Sequence, residues 1–547
     1  MTEDERVEDA GTNADGKPPE GGLGCRTCSV GCLGILILGG LGVGLMTANA
    51  GGRLDARVSE VSQEILDLQD SADHRRSTIL GAPENDQNAL ADYQGFMWVL
   101  AAGRSNDLPL SWREGNRPLL PEDVDDMAKR VAPKGQGMDP VAPAYLAPVL
   151  EPHFDLESME PGRKKQLLAS AKLYKRFRPA LRYIRDGLSR GKCDWQVVWE
   201  KGANLEIPNL MALRAAGTLM AYEASQQPPA QALQTGLEIV AFGQDCARHG
   251  SIIGAMIGVA ISHIGYQSLA RTFERPGLEA SDYQRAIDAL ASYQVPSTEE
   301  LLRAERISMT VTMLQMSGRS VDQSSPVTGT EGVMGFGPGS ETLLTWDVVQ
   351  ARELDGYERF HERGVELARL PHAERRQRAL GLEAELEEEH YLIANALYVN
   401  VDSCVNQLEQ SYALARVVRT LAAAHQVRVR TGAFPQRIQS LANLLGEGVA
   451  DPTSDVQPAV LGYGVQQGYV RCWIAGENGV DDGGPELKLP RPKRTASAPG
   501  KKKRKSRNPR PRSGVGGGGD DMGFQSMAPP AAAPKPVSSP GQDSEAR

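Results

Sequence analysis

Apolar residues recur at helical spacing through almost the whole stretch from residue 84 to 445. Amphipathic runs are predicted at Ala89–Ala102, Pro161–Gly187, Ile207–Gln226, Ala230–His249, Ser251–Phe273, Ala280–Tyr293, Ser297–Ser317, Leu343–Leu370 and Ala373–Gln426. Proline and glycine punctuation such as QQPP and RPG separates them, which predicts antiparallel helical hairpins or a solenoid-like stack. The segment SIIGAMIGVAISHIG, Ser251–Gly265, is apolar on all sides but too short to cross a bilayer, so it reads as a central core helix. Two stretches break the helical pattern: the proline-rich Arg104–Leu156 and the Gly/Ser/Thr-rich Ser317–Ser340. After Gly432 the period changes, and Val460–Val465 with Tyr469–Ile474 fit a small antiparallel hairpin.

The front of the chain follows a different pattern. From Thr27 to Gly52 there are 26 residues without a charge, and Ser29–Ala50 is long enough to cross about 30 Å of hydrocarbon as one helix. The preceding 28 residues carry seven acidic and three basic side chains, unlike the basic front of a cleavable signal. An uncleaved anchor fits best, although Ala48-Asn49-Ala50 keeps a cleaved signal in play. Gly40 and Gly44 stand G-x-x-x-G, the spacing that lets two membrane helices pack closely. Beyond them Leu54, Val58, Val61, Ile65 and Leu68 recur at 4, 3, 4, 3. Two heptads suit one face of a globular-domain helix better than a dimeric stalk, and a homodimer stays open. Cys25, Cys28 and Cys32 lack the fourth ligand a metal cluster normally takes.

Charge sharpens the domain picture. The net charge is −9, yet Lys488–Arg512 holds 12 of the 60 basic residues and no acid, leaving 48 basic against 69 acidic elsewhere, a balance of −21. An acidic body thus carries a basic arm. Pro485–Arg547 reads as disordered by composition. Cations in that number attract phosphate, anionic lipid or acidic polymer. With no aromatic among them, sequence-specific nucleic-acid reading is excluded. Seven cysteines define no disulfide framework.

Candidate chemistry is sparse. Glu358 with His361 and Glu387 with His390 form two E-x-x-H units of the kind that build di-metal sites in helical bundles, but both sit among charges dense enough to produce that spacing by chance. There is no G-x-S-x-G elbow and no H-E-x-x-H. His249 and His263 flank the apolar core helix as partner-bonded histidines, and Trp195 and Trp199, four apart, predict packing on one helical face.

The terminal block, with Gly432, Phe434, Pro435, Leu441, Asp451, Pro452, Tyr463, Gly468, Tyr469, Gly476, Asn478, Gly479 and Asp481–Gly484, resembles the C-terminal subdomain of type II secretion pseudopilins and of many uncharacterised membrane-anchored bacterial proteins. The phrases NALADY (Asn88–Tyr93), CDWQVVW (Cys193–Trp199) and LRAAGTL (Leu213–Leu219) resemble uncharacterised membrane-anchored bacterial proteins of planctomycete and myxobacterial type. The pseudopilin resemblance implies calcium at the acidic turn, with Asp481, Asp482 and Asn478 as ligands, and oxygen donors suit that ion. It departs from pilins in lacking a G-F-T-x-x-x-E peptidase site before the span.

The expected architecture is mainly α. It comprises an acidic N-terminus (1–28), a transmembrane helix (29–50), a stalk-like helix (53–80), a helical domain (84–431), a pseudopilin-like β cap (432–484) and a disordered basic tail (485–547). The expected role is a single-pass interaction or scaffold protein of the inner membrane, mostly extracytoplasmic. Its partners would be membrane lipid and an envelope protein or anionic surface polymer. A secretion or pilus-associated component with a calcium-binding cap is the second reading, and a di-metal helical enzyme the third.

Overall fold

The computed structural model describes residues 26–71, 78–101, 120–131, 171–172, 174–204, 210–294, 296–321, 347–391, 401–451, 460–466, 468–474 and 522–527. Within them the chain is mainly helical, with 13 α-helices and two small sheets. The helices are α1 (Arg26–Ser71), α2 (Leu90–Leu100), α3 (Val124–Val131), α4 (Leu181–Ser189), α5 (Leu210–Gln226), α6 (Pro229–Ala247) and α7 (Ile252–Phe273). There follow α8 (Ala280–Ala291), α9 (Thr298–Met316), α10 (Asp347–Ala368), α11 (His372–Glu388), α12 (Val401–Thr431) and the single turn α13 (Ala442–Leu445).

At the centre lies α7, packed by α5, α6, α9 and α12. Elements far apart in sequence therefore share one core, which is a bundle around a buried helix and not a stack in which each unit meets only its neighbours. The solenoid-like expectation is corrected to that extent. Among the described residues α7 is also the helix whose length and hydropathy would suit a membrane span, but 61% of its apolar window is buried inside the body. The approach of α6 to α7 depends on glycine. A Cβ on Gly258 would lie 2.5 Å from the Gly243 carbonyl oxygen, and one on Gly236 would lie 2.7 Å from Leu269 Cδ2. Gly236 and Gly243 on α6, and Gly258 and Gly265 on α7, are each seven residues apart, so both pairs recur on the facing sides of two antiparallel helices.

Helix α1 runs unbroken from the uncharged stretch into the body. Leu54, Val61 and Ile65 are buried against Ile307 and Val311 of α9 and Leu354 and Tyr357 of α10, with Val58 and Leu68 partly buried beside them. The 4, 3, 4, 3 seam is thus covered within its own chain and is not free to pair with a second copy. Flanking ions fix the register. Arg57 bonds Glu358 at 2.5 Å and Glu64 at 3.0 Å, Arg306 reaches Glu64 at 2.8 Å, and Arg319 joins Asp55 at 2.7 Å to Asp347 at 3.0 Å. Burial works against the Arg57 charge, but Glu358 and Glu64 outweigh it and hold the guanidinium pKa above its ordinary value. Gly40 and Gly44 fall in the helical backbone of α1, and their packing lies outside the described residues.

The expected hairpin forms as β3 (Gly462–Gln466) and β4 (Tyr469–Ile474), turning at Gly468 with φ 80. A third antiparallel strand, β5 (Met522–Met527), lies on the other edge of β4, with Cys472 opposite Phe524. The expectation of an unstructured tail from 485 to 547 does not hold for these six residues. The basic segment is therefore tied to the body on both sides, through β4 before it and β5 after it. The second sheet pairs β1 (Asn85–Asn88) with β2 (Arg190–Lys192) in parallel.

Candidate functional site

The site is built around the segment that follows β2. Asn88 closes a two-bond clamp on it: its side-chain amide donates to the Asp194 carbonyl at 2.8 Å and its oxygen accepts from the Asp194 N–H at 2.9 Å. The segment is then pinned to the C-terminal end of α6. The Trp195 indole N–H donates to the Asp245 carbonyl at 2.9 Å, the Cys193 thiol lies 3.8 Å from the same oxygen, and the Tyr93 hydroxyl bonds the Asp245 carboxylate. Gln196 takes a φ of 50, a left-handed conformation that β-carbon sterics disfavour, held by its N–H on the Asp194 carboxylate at 2.8 Å.

That reversal sends the two tryptophans in different directions. Trp195 joins the main core of α2 and α4–α8, whereas Trp199 joins the second core of α1, α9 and α10, and Val197 packs against both. Where the two cores meet, a cleft of about 830 Å³ opens. Its apolar wall includes both indoles, Val198 and Leu301, and its polar wall includes Asp194, Glu200, Glu300 and Arg248. Leu68 and Gln69, near the end of α1, close one side.

His249 lies under the Trp195 ring, with centroids 5.6 Å apart. Its Nδ1 stands 3.0 Å from the Ser251 hydroxyl, which also accepts the Gly254 N–H at 3.0 Å and so caps α7. Burial pushes the His249 pKa down to about 4, so the imidazole is neutral at pH 7. Burial likewise raises the Cys246 thiol well above its usual range, leaving it protonated and unreactive. Both indoles are buried in the cores, Trp195 between Tyr93 and His249, so what the cleft presents is mainly its rim of carboxylates. Among the described residues no group of three or more His, Cys, Asp or Glu side chains is placed to hold a metal ion.

The residues singled out in the sequence meet different fates. Trp195 and Trp199 do not share a helical face: Trp195 lies outside any helix or strand, and Trp199 opens a 3-10 turn. His249 is partner-bonded at a helix start, as expected. His263 sits on α7 against Phe524 of β5, with ring centroids 6.5 Å apart. Glu358 is taken up by Arg57 and Arg306, while His361 is buried and its pKa is pushed down to about 4 by burial and by Arg306. Glu387 and His390 are exposed at the end of α11. Neither E-x-x-H unit gathers further ligands among the described residues. Asn478, Asp481 and Asp482, the calcium candidates, lie outside the described residues, as does the side chain of Cys32. Cys193, Cys246, Cys404 and Cys472 are free thiols.

No family model, no curated protein and no solved structure matches this chain.

Proposed function

We propose that this chain is a single-pass, membrane-anchored interaction or scaffold protein of the cell envelope, with most of the chain outside the cytoplasm. The observation that carries the reading is the continuity of α1. Its first part contains the uncharged run Thr27–Gly52, long enough for a bilayer, and its second part is fixed into the body by Leu54, Val61, Ile65 and the Arg57 ion pairs. A tether of this kind has no hinge between anchor and domain. Along the helix, Leu68 at the cleft stands about 24 Å beyond Gly52, so the cleft would be held at a fixed height above the lipid. The opposed charges of body and arm favour an envelope protein or an anionic surface polymer as partner, alongside membrane lipid.

Protease added to intact spheroplasts tests the placement. The reading expects the body to be cut without lysis. Protection until the cells are broken open would place the body in the cytoplasm and overturn it.

A further inference from the structure

Strand β5 is held to the body along one edge. Among the described residues its backbone pairs with β4 alone, Met522 to Met527 against Ile474 to Tyr469, and 47 residues separate the two strands in sequence. Closing a loop of that length costs chain entropy, which the strand's own contacts must offset. On the inner side of the sheet Phe524 stands opposite Cys472 and is partly buried against the main core. There it meets the ring of His263 on α7 edge to face, with centroids 6.5 Å apart.

His263 differs from the histidines inside the cores. His249, His361 and His425 are wholly enclosed, whereas His263 is only partly buried and lies under the strand. Burial alone lowers its pKa, and no charged side chain of α5, α6, α9, α12, β4 or β5 adds to the shift. The titratable groups around it are the Tyr266 hydroxyl on α7, whose ring touches that of His263, and the Cys472 thiol of β4 across from Phe524. Burial raises the pKa of both, so both stay protonated and neutral in acid. An imidazolium at this place thus has no carboxylate to meet and requires water. Of the elements packed on α7, β5 is the one that can move aside for water while the helices stay together, because its neighbours in sequence do not tie it to them.

We propose that His263 and Phe524 form an acid-sensitive latch: a proton taken from solvent by the His263 imidazole displaces Phe524, and β5 leaves β4 while the helical body stays folded. The sign follows from the two states. With β5 open the ring is in water and titrates near its ordinary 6.5, and with β5 closed it titrates lower, so the closed strand is fully favoured above pH 6.5 and loses that advantage as the pH falls below it. Opening bares one edge of β4, a row of unpaired backbone groups, and turns the basic segment from a loop tied at both ends into a free arm. The proposal does not depend on membrane anchoring.

Hydrogen–deuterium exchange of the full chain, followed by mass spectrometry from about pH 7.5 to about pH 5 and corrected for the intrinsic pH dependence of exchange, tests it. The expected result is that the opening constant of β4 rises severalfold over this range, with about thirtyfold as the ceiling set by the ordinary histidine pKa, while α6 and α7 keep their protection. His263→Phe keeps a ring against Phe524, takes no proton and should abolish the rise. His263→Gln, neutral and smaller, should abolish it too and serves if the first variant folds poorly. Phe524→Ala should raise the opening constant already at about pH 7.5, and an unchanged value there would overturn the role of Phe524. A rise that persists in both His263 variants would overturn the proposal, as would constant protection of β4 down to about pH 5 in the native chain. Loss of protection in α7 together with β4 would also overturn it, because the acid transition would then be unfolding of the whole body.

Discussion

Arg57 of α1 and Glu358 of α10 stand 301 residues apart in sequence and 2.5 Å apart in space. Their pairing joins the helix that begins at Arg26 to the body. Burial raises the Glu358 carboxyl pKa, and Arg57 followed by Arg306 opposes that rise. Replacing Arg57 by methionine leaves a partly buried carboxylate short of its main partner. The expected loss is on the order of 2 kcal/mol, between the values for exposed and fully buried pairs. Glu358→Gln in the same chain should recover part of it, because the remaining group is neutral. A double-mutant cycle in urea measures the coupling, and additivity of the two changes would show that the pair does not hold α1.

The close contact of α6 and α7 gives a second prediction. Gly258→Val places atoms where Ala247 and Gly243 backbone already lies, so the helices must separate. A loss of about 3 kcal/mol is expected, at the upper end for overpacking. Gly381→Ala is the control, since nothing lies within 4 Å of a Cβ there and the residue is inside α11. It should be neutral or slightly stabilising by circular-dichroism melts.

Among the described residues Arg375 is the largest wholly buried side chain. It bonds Asp402 at 3.0 Å, Glu409 at 2.6 Å, Asn406 at 2.7 Å and the Leu370 carbonyl at 3.0 Å, tying α11 to α12. Arg375→Met strands two carboxylates and should cost about 3–5 kcal/mol. Arg375→Lys should recover only part of this, because an ammonium cannot span the same fork of acceptors.

Buried histidines set an acid limit. Burial pushes the pKa of His249 and His361 down to about 4 and that of His425 down to about 3, against an ordinary value near 6.5. Between those values the unfolded chain binds protons that the folded chain refuses, so stability falls as pH drops below 6.5 and the loss is complete near pH 3–4. As upper figures, His249 and His361 then contribute about 3 kcal/mol each and His425 about 5 kcal/mol of acid sensitivity. His425→Phe keeps the ring contacts with Tyr283 and Phe434 and should flatten the decline in melting temperature from pH 7 to 5. An unchanged decline would remove His425 from the account.

Helices were legible where apolar spacing and punctuation agreed. The runs around Leu210–Gln226, Pro229–Ala247 and Thr298–Met316 fall close to their expected bounds. The long run Ala373–Gln426 hid a break, since His390 takes a positive φ after α11 and charge-rich helix ends carry no proline or glycine signal there. Helix α3 was hidden in a proline-rich stretch, although Val124, Met127, Ala128 and Val131 show helical spacing in only eight residues. Strand β5 could not be read because Met-Gly-Phe-Gln-Ser-Met alternates weakly and pairs with β4 across 47 intervening residues. The cleft was half visible. CDWQVVW stood out as a phrase, but the left-handed Gln196 that divides its tryptophans between two cores depends on contacts with Asn88 and Asp245, which are remote in sequence.

The central claim is that α1 both anchors the chain and is part of its domain. Sodium carbonate extraction of membranes from cells expressing the full chain, compared with a chain lacking residues 29–50, tests it most directly. The account predicts that the full chain stays in the membrane pellet and that the shortened chain is released and folded, with its melting temperature retained because Leu54, Val61 and Ile65 remain. Release of the full chain into the carbonate supernatant would contradict it.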